Sequence, residues 1–188
     1  MKTTGIILAG GLSSRMGEDK GIIQLDEYKM IEKIIRLIDP FCNELIISAN
    51  NSNYDKFGLK VVNDKIDRIG PVGGIISCMR EENSNSYLVM SCDTPNVSSL
   101  TIAQLFNNLY DSDVVIYKID NKIEPLISLF SKSAVEKIEE EIRNRIFKLQ
   151  DVIKNLNHNT VFLEDNEKTK KEFLNINAKK DLIKYYEE

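Results

Sequence analysis

The chain has 188 residues with a formal net charge of −4, and 42% of its residues are hydrophobic. This length favours a single domain over residues 1–188 that can bury a substantial core. The charge argues against a broadly basic nucleic-acid surface, and no apolar run approaches membrane-spanning length. Three cysteines lack metal-ligand spacing and no signal-peptide pattern is present, so we expect reduced thiols and a cytoplasmic protein.

Apolar strand-like runs alternate with segments of helical periodicity in the first two thirds of the chain. The predicted strands cover residues 6–8, 45–47, 60–62, 87–91 and 114–117. The predicted helices cover residues 30–38, 73–82 and 99–107, the last with Ser98 as its N-cap. This alternation indicates an α/β fold, a Rossmann-like and mostly parallel sheet with helices on both faces and ligands at the carboxyl ends of the strands.

The last third of the chain is less regular. A strand over residues 124–130, amphipathic helices over 133–145 and 149–156, and an edge strand over 161–163 are predicted. Residues 164–171 are rich in charge, and we interpret them as a solvated connection. Asn177 is a candidate N-cap for a closing helix over residues 178–186.

The first predicted strand leads directly into a glycine loop, Ala9-Gly10-Gly11. Two glycines strip side chains from the loop surface, so that backbone N–H groups can contact phosphate oxygens. Arg15 supplies a planar fork for phosphate, and Lys20 supplies a mobile point charge. The combination predicts a triphosphate cradle, with an ordinary strand-to-helix turn as the alternative. Neither a Walker A loop nor a Gly-x-Gly-x-x-Gly dinucleotide fingerprint is present.

Two carboxylates come directly after predicted strands. Asp93 follows the strand over residues 87–91, in the segment Cys92-Asp93-Thr94-Pro95. A single carboxylate at this edge suits Mg²⁺, which completes its coordination with phosphates and water, although Asp also commonly caps turns. Asp64 follows the strand over residues 60–62, either as a ligand-binding residue or as a simple turn residue.

Residues 8–20, Leu-Ala-Gly-Gly-Leu-Ser-Ser-Arg-Met-Gly-Glu-Asp-Lys, resemble the signature of the molybdenum cofactor guanylyltransferases. These enzymes are a branch of the nucleotidyltransferase superfamily. The short spacing from Arg15 to Lys20, with Asp19 directly before the lysine, differs from sugar-phosphate nucleotidyltransferases. The resemblance implies a nucleotide-diphospho-sugar transferase-like fold. It also implies that Asp93 holds the Mg²⁺ of the nucleotide, and we expect Arg15, Lys20 and Asp93 to be the catalytic residues.

Other segments carry the same resemblance. Asp64 matches the family aspartate that contacts the guanine nucleotide, where a carboxylate can accept from the N1 and N2 groups of guanine. Gly74 lies in a segment similar to the family's Gly-Pro-Leu-x-Gly turn, at a helix N-terminus that favours anions. Asn175 and Asn177 resemble the Asn-x-Asn pair that lines the catalytic cleft, with a strand end plus a helix cap as the alternative. The predicted nucleotide-binding residues are Leu8, Ala9, Gly10, Gly11, Lys20, Asp64, Gly74, Asp93, Asn175 and Asn177.

The chain departs from the family pattern at several positions. Ser48 stands where the family often has an asparagine, and Ser128 replaces a common glycine. Ala178-Lys179 replaces the usual Thr-Pro after the asparagine pair. Pro125, with the leucine after it, resembles the Pro-Leu segment on the pterin side of the family's site.

The resemblance implies transfer of GMP from GTP to the molybdenum-bound pterin, Mo-molybdopterin, with Mg²⁺ as cofactor and pyrophosphate as the second product. A cytidylyltransferase acting on the same pterin, or a sugar- or alditol-phosphate nucleotidyltransferase, would use the same chemistry. A non-catalytic GTP-binding regulator is a different class, but it would be expected to lack Lys20 or Asp93, and both are present. We expect no nucleic-acid or membrane partner. Transient contacts with other molybdenum cofactor biosynthesis proteins stay open.

Overall fold

The structure is a computed structural model that describes residues 1–9, 19–66 and 69–186. The strands are β1 (Thr3–Leu8), β2 (Gln24–Leu25), β3 (Tyr28–Lys29), β4 (Glu44–Ser48), β5 (Lys60–Val62), β6 (Ser86–Ser91), β7 (Val114–Ile119), β8 (Lys122–Ser131) and β9 (His158–Leu163). The helices are α1 (Met30–Ile38), α2 (Pro71–Glu81), α3 (Ser99–Asn107), α4 (Ala134–Arg143), α5 (Leu149–Asn155), α6 (Glu167–Glu172) and α7 (Lys179–Tyr186). None of the helices in these ranges is both long and apolar enough to cross a membrane.

Among the described residues, seven strands form one sheet in the order β5-β4-β1-β6-β8-β7-β9. Strand β8 runs antiparallel to both of its neighbours, β6 and β7. The pairings β5–β4, β4–β1, β1–β6 and β7–β9 are parallel. The mostly parallel sheet predicted from the sequence is therefore confirmed, with one reversed strand inserted into it.

The sheet is covered on both faces, because successive side chains of a strand point to opposite sides. Ile6 of β1 packs in a cluster with residues of α2, α4 and α5. Its neighbour Ile7 packs in a second cluster with residues of α1 and α3. Both side chains are fully buried, and such burial contributes roughly 1.5–3 kcal/mol for each. The predicted arrangement of helices on both faces is confirmed.

Local capping explains where several helices begin. The hydroxyl of Ser98 accepts from the Thr101 N–H at 3.2 Å, so the predicted cap of α3 is confirmed. Helix α2 begins at Pro71, two residues earlier than predicted, since proline is well suited to the first helical position. The prediction of a charged connection over residues 164–171 is wrong in part, because α6 begins within it. There the side chain of Asn166 caps the Thr169 N–H at 2.9 Å.

A buried carboxylate just before β7 ties three segments of the fold together. Asp113 is 2% exposed, and it accepts from Nζ of Lys137 on α4 at 2.8 and 2.7 Å. It also accepts from the Ser133 hydroxyl at 2.7 Å and from the Asn157 N–H at 3.0 Å. Burial alone would raise the pKa of Asp113, but these donors outweigh burial and hold the pKa below its usual range.

We expect Asp113→Ala to lower the free energy of unfolding by about 3 kcal/mol, because several charge-assisted hydrogen bonds are lost together. The matched control is Asp111→Ala at an exposed position nearby, which should change this free energy by less than about 0.5 kcal/mol. Urea unfolding of both variants and of the wild type gives the comparison.

The stabilisation that Asp113 provides depends on pH, and the direction of this dependence follows from its pKa. The folded-state pKa of Asp113 is lowered, so its stabilisation is present above the unfolded-state pKa of about 3.9 and is lost as pH falls through the folded value. The difference between the wild type and Asp113→Ala should therefore shrink below about pH 4. A difference that stays constant down to acid unfolding would show that the carboxylate charge is not what stabilises this junction.

Candidate active site

The carboxyl ends of the central parallel strands lie together at one edge of the sheet. Backbone hydrogen bonds continue past the strands, from the Ala9 N–H to the Ser48 carbonyl at 3.0 Å and from the Cys92 N–H to the Leu8 carbonyl at 3.1 Å. The residues just beyond each strand are therefore held by the sheet itself. This rigid edge is where the side chain of Asp93 emerges.

Lys20 connects three distant parts of the chain at this edge. Its Nζ donates to Oδ1 of Asn177 and lies 3.8 Å from Oδ2 of Asp93. The other carboxylate oxygen of Asp93 accepts from the Ser91 hydroxyl at 2.6 Å. The Asp93 carbonyl accepts from the Ile176 N–H at 2.8 Å, which anchors the segment that carries Asn177. The side chains of Lys20 and Asp93 are 23% and 14% exposed, so the pair is shielded but still reachable by a ligand.

The amide oxygen of Asn177 accepts from Lys20. A different side chain binds the backbone just before α7. The carboxylate of Asp181 accepts from the Asn177 and Ala178 N–H groups at 2.9 and 2.8 Å. Asp181 in the first turn of α7 thus holds the two residues before the helix, while the described contact of the Asn177 side chain is with Lys20. The geometry favours the cleft interpretation of Asn177 over the helix-cap interpretation.

Asp19 fixes the backbone that carries Lys20. It caps the short 3₁₀ helix Lys20–Ile22, with Oδ1 accepting from the Gly21 N–H at 3.3 Å. The same oxygen accepts from the Tyr54 hydroxyl, and Oδ2 accepts from Nδ2 of Asn51 at 3.1 Å. Asp19 is therefore held from two sides by the segment that follows β4.

Tyr54 links this cap to the end of β1. It is fully buried, and its hydroxyl oxygen also lies 3.1 Å from the Ala9 carbonyl. Burial, and next the hydrogen bond to Asp19, raise the pKa of Tyr54 far above its usual range, so the hydroxyl stays a neutral donor. A Cβ on Gly21 would lie 2.5 Å from the Tyr54 hydroxyl, which explains the glycine after Lys20. The sequence does not predict a role for Tyr54, since a lone aromatic residue in a polar stretch belongs to no motif.

Asp64 lies against β4 and α2. It is 3.4 Å from the Ser48 hydroxyl, which donates to its Oδ1, and its N–H donates to Oδ1 of Asn50 at 2.8 Å. A Cβ on Gly74 would lie 2.3 Å from Oγ of Ser48 and 2.9 Å from Oδ1 of Asp64. Glycine at position 74 therefore permits α2 to approach both side chains. Ser48, which departs from the family pattern, is a direct contact of Asp64.

A cavity of about 840 Å³ adjoins this edge on the β8 side. It reaches Thr94, directly after Asp93, and Asn175, two residues before Asn177. A smaller cavity of about 490 Å³ shares Glu124 and Asn175 with it. The remaining wall of the larger cavity comes from β7, β8, the turn between them, α5 and β9.

The other predicted site residues divide into two groups. Leu8 and Ala9 lie at the end of β1, where Ala9 is buried. Gly10, Gly11 and Arg15 fall outside the described residues.

The side chains around Asp93 indicate whether the predicted Mg²⁺ fits this site. Among the described residues, no group of three or more His, Cys, Asp and Glu side chains is arranged to hold a metal ion. Cys92 is buried, and burial raises the pKa of its thiol far above the usual range, so it stays neutral beside Asp93. A single carboxylate fits Mg²⁺ that takes its other ligands from phosphates and water.

Comparisons with known proteins identify the family of the chain. Residues 5–160 match the family described as the MobA-like NTP transferase domain. A probable molybdenum cofactor guanylyltransferase from Carboxydothermus hydrogenoformans is 32% identical over 184 residues, covering 96% of this chain and 93% of the relative. A protein of the same name from Clostridium perfringens is 34% identical over 150 residues, covering 79% of this chain and 76% of the relative.

A solved structure supports the fold. The crystal structure of molybdopterin-guanine dinucleotide biosynthesis protein A from Archaeoglobus fulgidus has a TM-score of 0.76 and 24% identity, covering 96% of this chain and 95% of its own. The nucleotide-diphospho-sugar transferase-like fold and the family resemblance of residues 8–20 are thereby confirmed. The chain belongs to the MobA-like NTP transferase family and is a nucleotidyltransferase.

Proposed function

We propose that this enzyme transfers GMP from GTP to Mo-molybdopterin, forming the guanine dinucleotide cofactor and releasing pyrophosphate. The observation that carries the proposal is the position of Lys20, held by Asn177 and beside Asp93 at the carboxyl edge of the sheet. A large cavity adjoins this centre and offers room for an acceptor. The names of the relatives, probable molybdenum cofactor guanylyltransferases, support the choice of substrates.

The reaction needs positioning and charge stabilisation more than proton transfer. The terminal phosphate of the pterin attacks the α-phosphorus of GTP, and it is already ionised, so no general base is required. In our proposal Lys20 neutralises charge that grows on the α-phosphate in the transition state. Arg15 and the N–H groups of Gly10 and Gly11 hold the β- and γ-phosphates. Fixed cations and donors of this kind act without reorganisation during the reaction.

Asp93 would hold Mg²⁺, which when bound supplies positive charge to the phosphate oxygens. The Ser91 hydroxyl orients the Asp93 carboxylate through its 2.6 Å hydrogen bond. Nζ of Lys20 lies 3.8 Å from the other carboxylate oxygen, Oδ2, and its positive charge partly offsets the negative charge of Asp93. These contacts hold the Asp93 carboxylate in one position, as a magnesium ligand requires.

Asp64 would select the base. Its carboxylate can accept from the adjacent N1 and N2 donors of guanine, a pair that cytosine lacks. The Ser48 hydroxyl donates to this carboxylate, and the absence of a Cβ at Gly74 leaves room for the carboxylate beside α2. The selection of GTP over CTP thus rests on a side chain that the sheet and α2 position together.

Pyrophosphate release in the presence of Mo-molybdopterin should occur with GTP and hardly at all with CTP, ATP or UTP. Asp64→Asn should lower kcat/KM for GTP by about tenfold or more, because an amide cannot accept from both guanine donors. The exposed neighbour provides the control, since Asn63→Ala should leave the kinetics unchanged. Efficient release with CTP would instead assign the cytidylyltransferase activity, and no release with any nucleotide would overturn the proposal.

Asp93→Asn should preserve the fold and lower turnover by roughly 10²–10³-fold, with a higher Mg²⁺ concentration needed for half-maximal rate. The reason is that the amide keeps the size of the side chain and loses its charge. Steady-state rates across a Mg²⁺ titration measure both effects, with Asp111→Asn as the exposed control. Near-normal rates for Asp93→Asn at ordinary Mg²⁺ would rule out the metal-binding role.

Lys20 and Arg15 should differ in their kinetic signatures. Lys20→Ala should lower kcat and kcat/KM together by roughly 10²–10³-fold, because its contact strengthens only in the transition state. Arg15→Ala should mainly raise KM for GTP, since the β- and γ-phosphates are charged before and during the reaction.

Steady-state kinetics of both variants with saturating Mo-molybdopterin provide the measurement, and Lys56→Ala at an exposed position is the control. If Lys20→Ala showed an unchanged kcat and only a raised KM, Lys20 would be a ground-state binding residue.

A further inference from the structure

Glu124 is a carboxylate that the proposed chemistry leaves unused. It lines both the 840 Å³ and the 490 Å³ cavities. Within the described part of the chain, no hydrogen-bond donor contacts its carboxylate, and the charges that act on its pKa are those of Lys122 and Asp93. Burial raises the pKa of Glu124 above its usual range; the charge of Lys122 opposes this increase, and the charge of Asp93 adds to it to a smaller extent. A half-buried acid without a partner is costly to the fold, so a ligand is the natural source of its partner.

An irregularity in the sheet places this side chain. Ile116 of β7 pairs with Ser128 of β8, yet the next residue, Tyr117, pairs with Glu124. Residues 125–127 therefore bulge out of the pairing with β7. The hydroxyl of Ser128 is buried and donates to the Pro125 carbonyl at 2.9 Å, which closes the bulge. Bulges of this kind re-aim side chains beside binding sites.

The strand order separates Glu124 from Asp64, the carboxylate proposed to select the base. Asp93 follows β6, near the middle of the sheet, and Asp64 follows β5 at one end of the strand order. Glu124 lies on β8, on the opposite side of β6 from β5. A base bound at Asp64 and an acceptor bound at Glu124 would therefore approach Asp93 from opposite sides.

We propose that Glu124 determines acceptor specificity by accepting hydrogen bonds from two adjacent N–H groups on the 2-amino-4-oxo edge of a pterin. The inference rests on the proposed function and adds a residue that selects the acceptor. The two oxygens of a carboxylate match two parallel N–H donors, and such charge-assisted bonds are strong. Within the lining of the larger cavity, as the structure describes it, Glu124 is the carboxylate available for this contact. Guanine has the same kind of edge, so position on the acceptor side of Asp93 distinguishes the two carboxylates.

Two pteridines test the contact directly. Pterin carries an amino donor at position 2, where lumazine carries a carbonyl oxygen. The wild type should bind pterin at least about tenfold more tightly than lumazine, as loss of a charge-assisted hydrogen bond requires. Glu124→Gln keeps the size of the side chain and should reduce this preference to nearly one. Glu136→Gln, at an exposed position on α4, is the matched control and should keep the preference.

Dissociation constants for pterin, lumazine and GTP, measured for all three proteins, decide the outcome. Loss of the pterin preference in Glu124→Gln with an unchanged dissociation constant for GTP supports the proposal. A retained preference in that variant, equal binding of the two pteridines by the wild type, or an equally large loss of GTP affinity would overturn it. Failure of the proposed function is distinguishable, since it shows as absent pyrophosphate release from GTP in the wild type.

Discussion

The proposed site depends on one partly buried cation, Lys20, that is held in place without any ligand. Lys20 meets this requirement with the Asp93 carboxylate, from the middle of the chain, and the Asn177 amide, from its C-terminal region. Each partner is itself fixed, Asp93 by Ser91 and the Asn177 segment through the Ile176 N–H. Because these partners already position Lys20, little free energy is needed to order its side chain when a phosphate replaces one of them. Such preorganisation is the basis of electrostatic catalysis.

The arrangement of the sheet determines what can surround that cation. Parallel strands on one side bring Asp64 and Asp93 to the same edge, and the reversed strand β8 brings Glu124 and the larger cavity to the other side of β6. In the proposed function, nucleotide and acceptor therefore reach Asp93 from two directions. Under the proposed function, a chain with a net charge of −4 must attract a triphosphate with locally placed cations, and this is the role we propose for Lys20 and Arg15.

Much of this could be predicted from the sequence, for identifiable physical reasons. Buried strands and amphipathic helices have strong periodic signals, and Asp93 follows a strand within a recognisable motif. The bulge that positions Glu124 could not be predicted, because it arises from strand pairing across β7 and β8. The role of Tyr54 depends on contacts with Ala9 and Asp19 far away in the sequence, which no local pattern records. Helix α6 was not predicted, because its run of charged residues is typical of a solvated connection and outweighed the capping signal of Asn166.

The central claim is that Lys20 and Asn177 act as one unit, so a double-mutant cycle on kcat/KM for GTP tests it most directly. The single variants Lys20→Ala and Asn177→Ala are compared with the double variant. If Asn177 acts by holding Lys20, the double variant should lose hardly more activity than Lys20→Ala alone, with a coupling energy of about 1 kcal/mol or more. Losses that simply add would contradict the account, because Asn177 would then act independently of the lysine.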